Sequence, residues 1–313
     1  MTKWTTRDIP TQNGRHAIVT GTGGLGYETA RALARAGASV ILAGRNPSKG
    51  RAAIGRLRAD LPSASLRYEQ LDLASLRSVA AFGDRMRSDL KRLDILVNNA
   101  GVMTPPERRL TEDGFELQFG TNYLGHFALT AHLMPLLRKG AQPRVVSLGS
   151  VAARAGAIDF DDLDAEADYR PMRVYSQSKL ACLLFAIELQ RRSWSGGWGI
   201  TSIAAHPGVS RTDLLNNAPG RRDMGRLVRT YLPFLFQPVA QGDLPILFAA
   251  TSPEAEPGGY YGPDRISETR GHPAPARVPP VAEDAEMASR LWRESERLAD
   301  VAFEREDAER WAG

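Results

Sequence analysis

Short runs of β-branched and apolar residues alternate with longer stretches of helical periodicity through the first two thirds of the chain, the pattern of βαβ units around a parallel sheet. Ala17-Ile18-Val19-Thr20 reads as the first strand. Leu25, Thr29, Ala30, Leu33 and Ala34 then share one helical face, and Gly37 stands where a left-handed cap is needed. A second strand spans Ser39 to Ala43, and Asn46-Pro47 predicts an N-cap and first turn for a helix reaching about Asp60. Further strands are expected at Ser65–Gln70, Asp94–Val97, Arg144–Leu148 and Ile200–Ala204, with helices near Leu76–Leu90, Gly114–Leu137 and Val174–Arg192. The expectation is an α/β fold: a Rossmann-type, doubly wound parallel sheet of six strands in three αβα layers.

No solenoid period and no low-complexity tract divides the chain, so a single domain is expected. Residues 1–262 form its body, with a variable substrate lid at about 212–240. A helical extension over residues 263–313 follows across the proline-rich stretch Pro273–Pro280, read as an extended surface connection. In that extension Met287, Leu291, Leu298 and Ala302 lie at helical spacing among charges, which predicts an amphipathic helix packing back on the body.

The 313 residues include 42% apolar types, enough for a sizeable core. Forty Lys plus Arg against 36 Asp plus Glu leaves only +4, evenly spread, which argues against nucleic acid as a partner. The lone Cys182 excludes an internal disulfide and a cysteine metal cluster; on its helix it is read as a small buried hydrophobe. With a polar start and no apolar run near ~20 residues, the expectation is a cytoplasmic protein without a transmembrane segment. Oligomeric state does not follow from the sequence.

Chemistry enters at Thr20-Gly21-Thr22-Gly23-Gly24-Leu25-Gly26, between the first strand and first helix. Glycines there let backbone N–H groups approach a pyrophosphate at a helix N-terminus, which favours anions. An acid at the end of the second strand would bind a ribose 2′-OH and repel a 2′-phosphate; this chain has Ala43-Gly44-Arg45 instead. Arg45 is suited to pairing with a 2′-phosphate, so NADP(H) is expected over NAD(H). Asp72, with Leu73 beside it, is the candidate contact for adenine. Tyr175 and Lys179 stand four apart on a predicted helix, hence on one face. A phenol is a poor base at neutral pH, and a neighbouring ammonium favours the phenolate, bringing the group toward its working range. Ser150 is delivered by the strand Arg144–Leu148 to the sheet edge where ligands bind, and Asn98-Asn99-Ala100-Gly101 ends another strand there.

These phrases, with Thr121-Asn122-Tyr123-Leu124-Gly125-His126-Phe127 and His206-Pro207-Gly208, occur in the order of the short-chain dehydrogenase/reductase family, which the chain resembles from residue 15 to about 215. Asp8-Ile9-Pro10, Phe160-Asp161-Asp162-Leu163 and Tyr175–Ala181 are similar to the retinol-dehydrogenase-like branch. The resemblance implies Tyr175 as general acid/base, Lys179 on the nicotinamide ribose, Ser150 orienting the substrate oxygen and Asn122 holding a relay water. It also implies cofactor contacts from Gly21, Gly23, Gly24, Leu25, Gly26, Asn98, Ala100, Gly101, Pro207, Gly208, Val209 and Thr212. The activity implied is hydride transfer between an alcohol and a ketone or aldehyde, on a lipophilic small molecule. Two departures stand out: the glycine loop is one residue shorter than the family's Thr-Gly-x-x-x-Gly-x-Gly, which bears on phosphate contacts, and Gly149 replaces a serine often found before the catalytic one. The alternative, motivated by the short loop, is a non-catalytic dinucleotide-binding regulatory or interaction protein; the intact Tyr175–Lys179 pair favours the enzyme. Another lyase or sugar-nucleotide chemistry also uses such a pair. No ligand spacing marks a metal, so His126 and His206 are read as structural positions. Met224 to Phe236, basic and apolar, is read as a lid rather than a partner or membrane-surface contact.

Overall fold

The computed structural model describes residues 3–209 and 237–303, so Thr212 and the segment 224–236 lie outside the described residues. Strands β1 (His16–Thr20), β2 (Ser39–Gly44), β3 (Leu66–Gln70), β4 (Ile95–Asn98), β5 (Arg144–Leu148) and β6 (Thr201–Ala205) form within two residues of their expected bounds. Two further strands, β7 (Tyr260–Arg265) and β8 (Arg270–Pro275), extend the sheet beyond the expected six, giving the order β3-β2-β1-β4-β5-β6-β7-β8. All neighbours are parallel except β7 and β8, which form an antiparallel hairpin. Thus Pro273–Pro275, expected in a surface connection, belong to an edge strand. An edge is where proline is tolerated, because one side of the strand needs no ladder donors.

Strand alternation sorts the core into two layers. Ala17, Val19, Val40, Leu42, Val97 and Val146 face one side of the sheet. There they meet α1 (Gly24–Arg35), α2 (Pro47–Asp60) and α7 (Leu244–Thr251), the last preceded by the short α6 (Val239–Gly242). Ile18, Ile41, Leu96 and Val145 face the other side, against α3 (Leu76–Asp89), α4 (Gly125–Leu137) and α5 (Pro171–Ser195). Asn46 caps α2 by accepting from Lys49 N–H at 3.0 Å, with Pro47 at the first helical position.

The helix expected from Gly114 begins only after Glu116. Glu116 and Leu110 make an isolated bridge, and the buried Glu116 carboxylate accepts from the Gln118 and Phe119 N–H groups, both at 2.8 Å. Phe119–Leu124 then form a π-helical turn leading into α4, a feature that recurs at functional sites. The C-terminal helix, α8 (Ala285–Ala299), packs back on the body with Leu291 buried and Met287 and Leu298 partly buried against the core, and its buried face also takes in Ala288, Trp292, Ser295 and Ala299. Trp292 stacks on Phe185 of α5 at 5.7 Å, meets Phe127 of α4 edge-on at 5.0 Å, and lies under the Arg192 guanidinium. No helix among the described residues is long and apolar enough to cross a membrane.

Candidate active site

The ends of β1, β4, β5 and β6 converge on a cavity of about 550 Å³. The glycine loop forms one wall, with Gly21, Gly23, Gly24 and Leu25 on the lining. Gly21 is left-handed (φ +95°), and a Cβ on Gly26 would stand 2.2 Å from Gly21 O, so the loop folds back on the first turn of α1 only with glycine at both positions. No side chain caps α1, whose N-terminal N–H groups therefore open toward the cavity. The loop is one residue short, yet it presents an uncapped helix N-terminus and a side-chain-free surface, which fits the phosphates of a dinucleotide.

Thr20, at the end of β1, fixes this wall to the next. Its hydroxyl oxygen accepts from the Asn99 and Ala100 N–H groups, both at 2.9 Å, and its carbonyl accepts from Asn99 Nδ2 at 2.6 Å. His126 Nε2 lies 2.9 Å from the same hydroxyl, and its Nδ1 2.9 Å from the Asn122 carbonyl. A carbonyl only accepts, so the ring carries its proton on Nδ1 and takes the threonine hydrogen on Nε2. Burial pushes the His126 pKa down to about 4, and the ring is neutral at physiological pH. The expectation of a structural histidine acquires a content: His126 ties the glycine loop to the π-helical turn.

Tyr175 and Lys179 both line the cavity from α5, whose residues Val174–Ala186 are buried almost without interruption. Lys179 Nζ lies 5.9 Å from the Tyr175 ring centroid and donates to Leu148 O at 3.0 Å, so the end of β5 holds the ammonium in place. Ser150, two residues further on, lines the same cavity, and its Oγ accepts from Ala152 N–H at 3.2 Å. The Gly149 substitution has a steric reason: a Cβ there would stand 3.2 Å from the Tyr260 hydroxyl, which donates to Ser150 O at 3.3 Å.

Asn122 sits in the π-helical turn, behind the lining. Its Oδ1 accepts from Val102 N–H at 2.7 Å, and its Nδ2 donates to Val102 O and Ser178 Oγ, both at 3.0 Å. Its carbonyl also receives the Cys182 thiol at 3.2 Å; burial pushes that thiol's pKa up, as suits an unreactive core cysteine. Asn122 thereby clamps the loop after β4 onto α5.

Of the expected cofactor residues, Ala100, Gly101, Pro207, Gly208 and Val209 join the glycine loop on the lining. Asn98 does not: it is buried and donates to Thr130 Oγ1 at 3.1 Å, while its neighbour Asn99 reaches the cavity. Period-two alternation at the end of β4 carries the signal that separates them. Leu73 is buried in the core, and Asp72 accepts from Ala74 N–H at 3.0 Å; neither lines the cavity. Arg45 is exposed just past β2 and makes no hydrogen bond or ion pair among the described residues. Val102, Met103, Val151, Ala152 and Met172, unmarked by any motif, give the remaining wall its apolar character.

Residues 15–222 match the family model described as short chain dehydrogenase. Polyprenol dehydrogenase of Mus musculus is 41% identical over 97% of this chain and 89% of its own length. Retinol dehydrogenase 13 of Homo sapiens is 41% identical over 92% of this chain and 85% of its own. A crystal structure of an uncharacterized protein from Mycobacterium paratuberculosis, 38% identical, aligns with TM-score 0.79 over 96% of this chain and 99% of that one. A short chain dehydrogenase from Shigella flexneri complexed with NADP shares the fold at TM-score 0.63, with 23% identity over 81% of this chain and 97% of its own.

Proposed function

Because the chain belongs to the short chain dehydrogenase family, whose members are oxidoreductases, we propose that it interconverts an alcohol and a ketone or aldehyde on a lipophilic small molecule, with NADP(H) preferred over NAD(H). The observation that carries this reading is the convergence of Ser150, Tyr175 and Lys179 on the cavity whose other wall is the glycine loop. When bound, a nicotinamide dinucleotide supplies or accepts the hydride. Tyr175 gives or takes the proton at the substrate oxygen, and the Ser150 hydroxyl donates to that oxygen and orients it. Lys179, anchored on Leu148 O, keeps a positive charge beside the phenol as its proton leaves. A water between Lys179 and the Asn122 region is the relay we assign to the proton. A Cβ on Gly101 would stand 3.9 Å from Lys179 Nζ and 2.9 Å from Asn122 Oδ1, so both groups lie beside Gly101.

Lipophilic substrates are favoured by the apolar wall around Met103, Val151 and Met172, and retinol and polyprenol, the alcohols in the relatives' names, are of that class. The unengaged Arg45 and the absence of an acid after β2 favour the 2′-phosphate. Fluorescence titration with NADPH and NADH, followed by turnover on apolar alcohols and carbonyls, tests both parts. NADPH is expected to bind more tightly, with a gap that narrows in Arg45→Ala. Normal dinucleotide binding without turnover on any of the panel would instead favour a non-catalytic binding protein.

A further inference from the structure

The side of the cavity formed after β6 carries the phrase His206-Pro207-Gly208 and is held through Glu268, a residue that no motif marks. His206 directly follows β6 and is fully buried. Its Nδ1 faces the Gly208 N–H at 3.2 Å, and its Nε2 lies 2.9 Å from Glu268 Oε2. A backbone N–H only donates and a carboxylate accepts, so the ring proton sits on Nε2 and the chain of bonds runs Gly208 to His206 to Glu268. The same carboxylate pairs with Arg154, in the 3₁₀ turn Val151–Ala155 behind Ser150, and its Oε1 accepts from Arg277 N–H at 3.0 Å. One side chain therefore spans the loop after β6, the turn after Ser150 and the segment leaving β8.

Glu268 reaches this place at the tip of the β7–β8 hairpin, where Ile266, Ser267 and Glu268 are all left-handed, at φ 49°, 53° and 64°. Three successive non-glycine residues in that region are costly, most of all the β-branched Ile266, which is half-exposed. Such conformations persist where surrounding bonds over-determine them, and they gather at ligand clamps. The next residue, Thr269, accepts from Val209 N–H at 2.9 Å, bolting the tip to the cavity lining.

We propose that Glu268 is a positioning residue for the dinucleotide side of the cavity: through His206 it fixes the Gly208 amide, and through Arg154 the turn behind Ser150. This rests on the dinucleotide reading above. The experiment compares the full-length wild type with E268A, E268Q, H206A and the double variant E268A/H206A, measuring NADPH dissociation constants by fluorescence and amide hydrogen exchange without ligand. In E268A the dissociation constant is expected to rise about tenfold, the loss of roughly one hydrogen bond's worth of orientation. Exchange at Gly208 and Val209 accelerates. E268Q keeps an oxygen acceptor for Nε2 and recovers most of the affinity, and the double variant is no weaker than H206A alone. A folded E268A that binds NADPH within about twofold of wild type overturns the proposal, as do losses that multiply in the double variant. Should E268A fail to fold, H206Q decides. It keeps a donor for Glu268 but offers Gly208 no ring nitrogen, so exchange at Gly208 must rise. A wild type that binds neither dinucleotide removes the cavity reading itself, whereas a binding wild type with an equally binding E268A removes only the positioning role.

Discussion

The two sides of the cavity are built by different means. On the glycine-loop side, Thr20, Asn99, Asn122 and His126 close a set of short bonds within the stretch that carries the motifs, and α5 is pinned to it by Asn122 and Leu148 O. On the other side, the β7–β8 hairpin, from the last quarter of the described chain, reaches inward through Glu268 and Tyr260, while α7 and α8 brace α1 and α5 from outside the cavity through Asp243 and Trp292. The first side is specified by local order along the chain. The second is specified by tertiary contacts, and the contrast yields tests of unequal size.

The largest effect is expected on the motif side. Tyr175→Phe removes the hydroxyl proposed as proton donor but little of the packing, so turnover is expected to fall on the order of 10²–10⁴-fold while NADPH affinity stays within about twofold; steady-state rates beside a fluorescence titration check it. Retained turnover would move the proton chemistry elsewhere in the cavity. Next comes the distal side, where Trp292→Ala empties the largest fully buried side chain among the described residues. A loss of about 3–5 kcal/mol is expected in urea unfolding, and more than that if the cation above the ring also loses its seat.

The two sides also answer pH with opposite signs. His126 is neutral in the fold, with a pKa of about 4 caused by burial, and takes up a proton near pH 6.5 once unfolded. The unfolded chain binds more protons in that window, so stability falls on acidification from about pH 6.5 to 4, by about 3 kcal/mol. His126→Gln, which cannot titrate, flattens that slope in urea melts taken at pH 7, 5.5 and 4. Asp243 stands on the seam between the two sides, accepting from Thr29 Oγ1 of α1 at 2.5 Å, with Oδ2 unpartnered. Burial pushes its pKa well above the carboxylate range, so folding retains a proton that the unfolded chain releases above about pH 4. Stability therefore falls as pH rises toward the folded value. Asp243→Asn supplies the uncharged shape and should be the more stable at pH 8 by on the order of 1–3 kcal/mol, with the advantage shrinking at pH 5.

Much of the first side was legible. Strands β1, β2, β4, β5 and β6 announce themselves because they are buried on both faces and bounded by turn residues, and Tyr175, Lys179 and Ser150 fall where the order of motifs places them. Asn98 and Asn99 belong to one phrase, and only the strand's alternation separates the buried one from the one that reaches the cavity. The second side was opaque for physical reasons. Strand β7 carries Gly262, Pro263 and two charges, and β8 carries two prolines, so neither resembles a strand until the edge of a finished sheet accepts it. Trp292 stands among charges on a helix whose burial depends on where α5 lies. Glu268 looks like any loop acid; only the turn geometry at Ile266–Glu268 directs it inward.

The packing of Trp292 on Phe185 and against Phe127 sets a schedule for synthesis. The ribosome delivers α4 and α5 long before α8, so the outer faces of those helices wait, greasy and uncovered, while more than a hundred residues of chain are still being made. Until Trp292 arrives, the helix that carries Tyr175 lacks its aromatic cover, an uncovered apolar face of the kind that favours aggregation during synthesis.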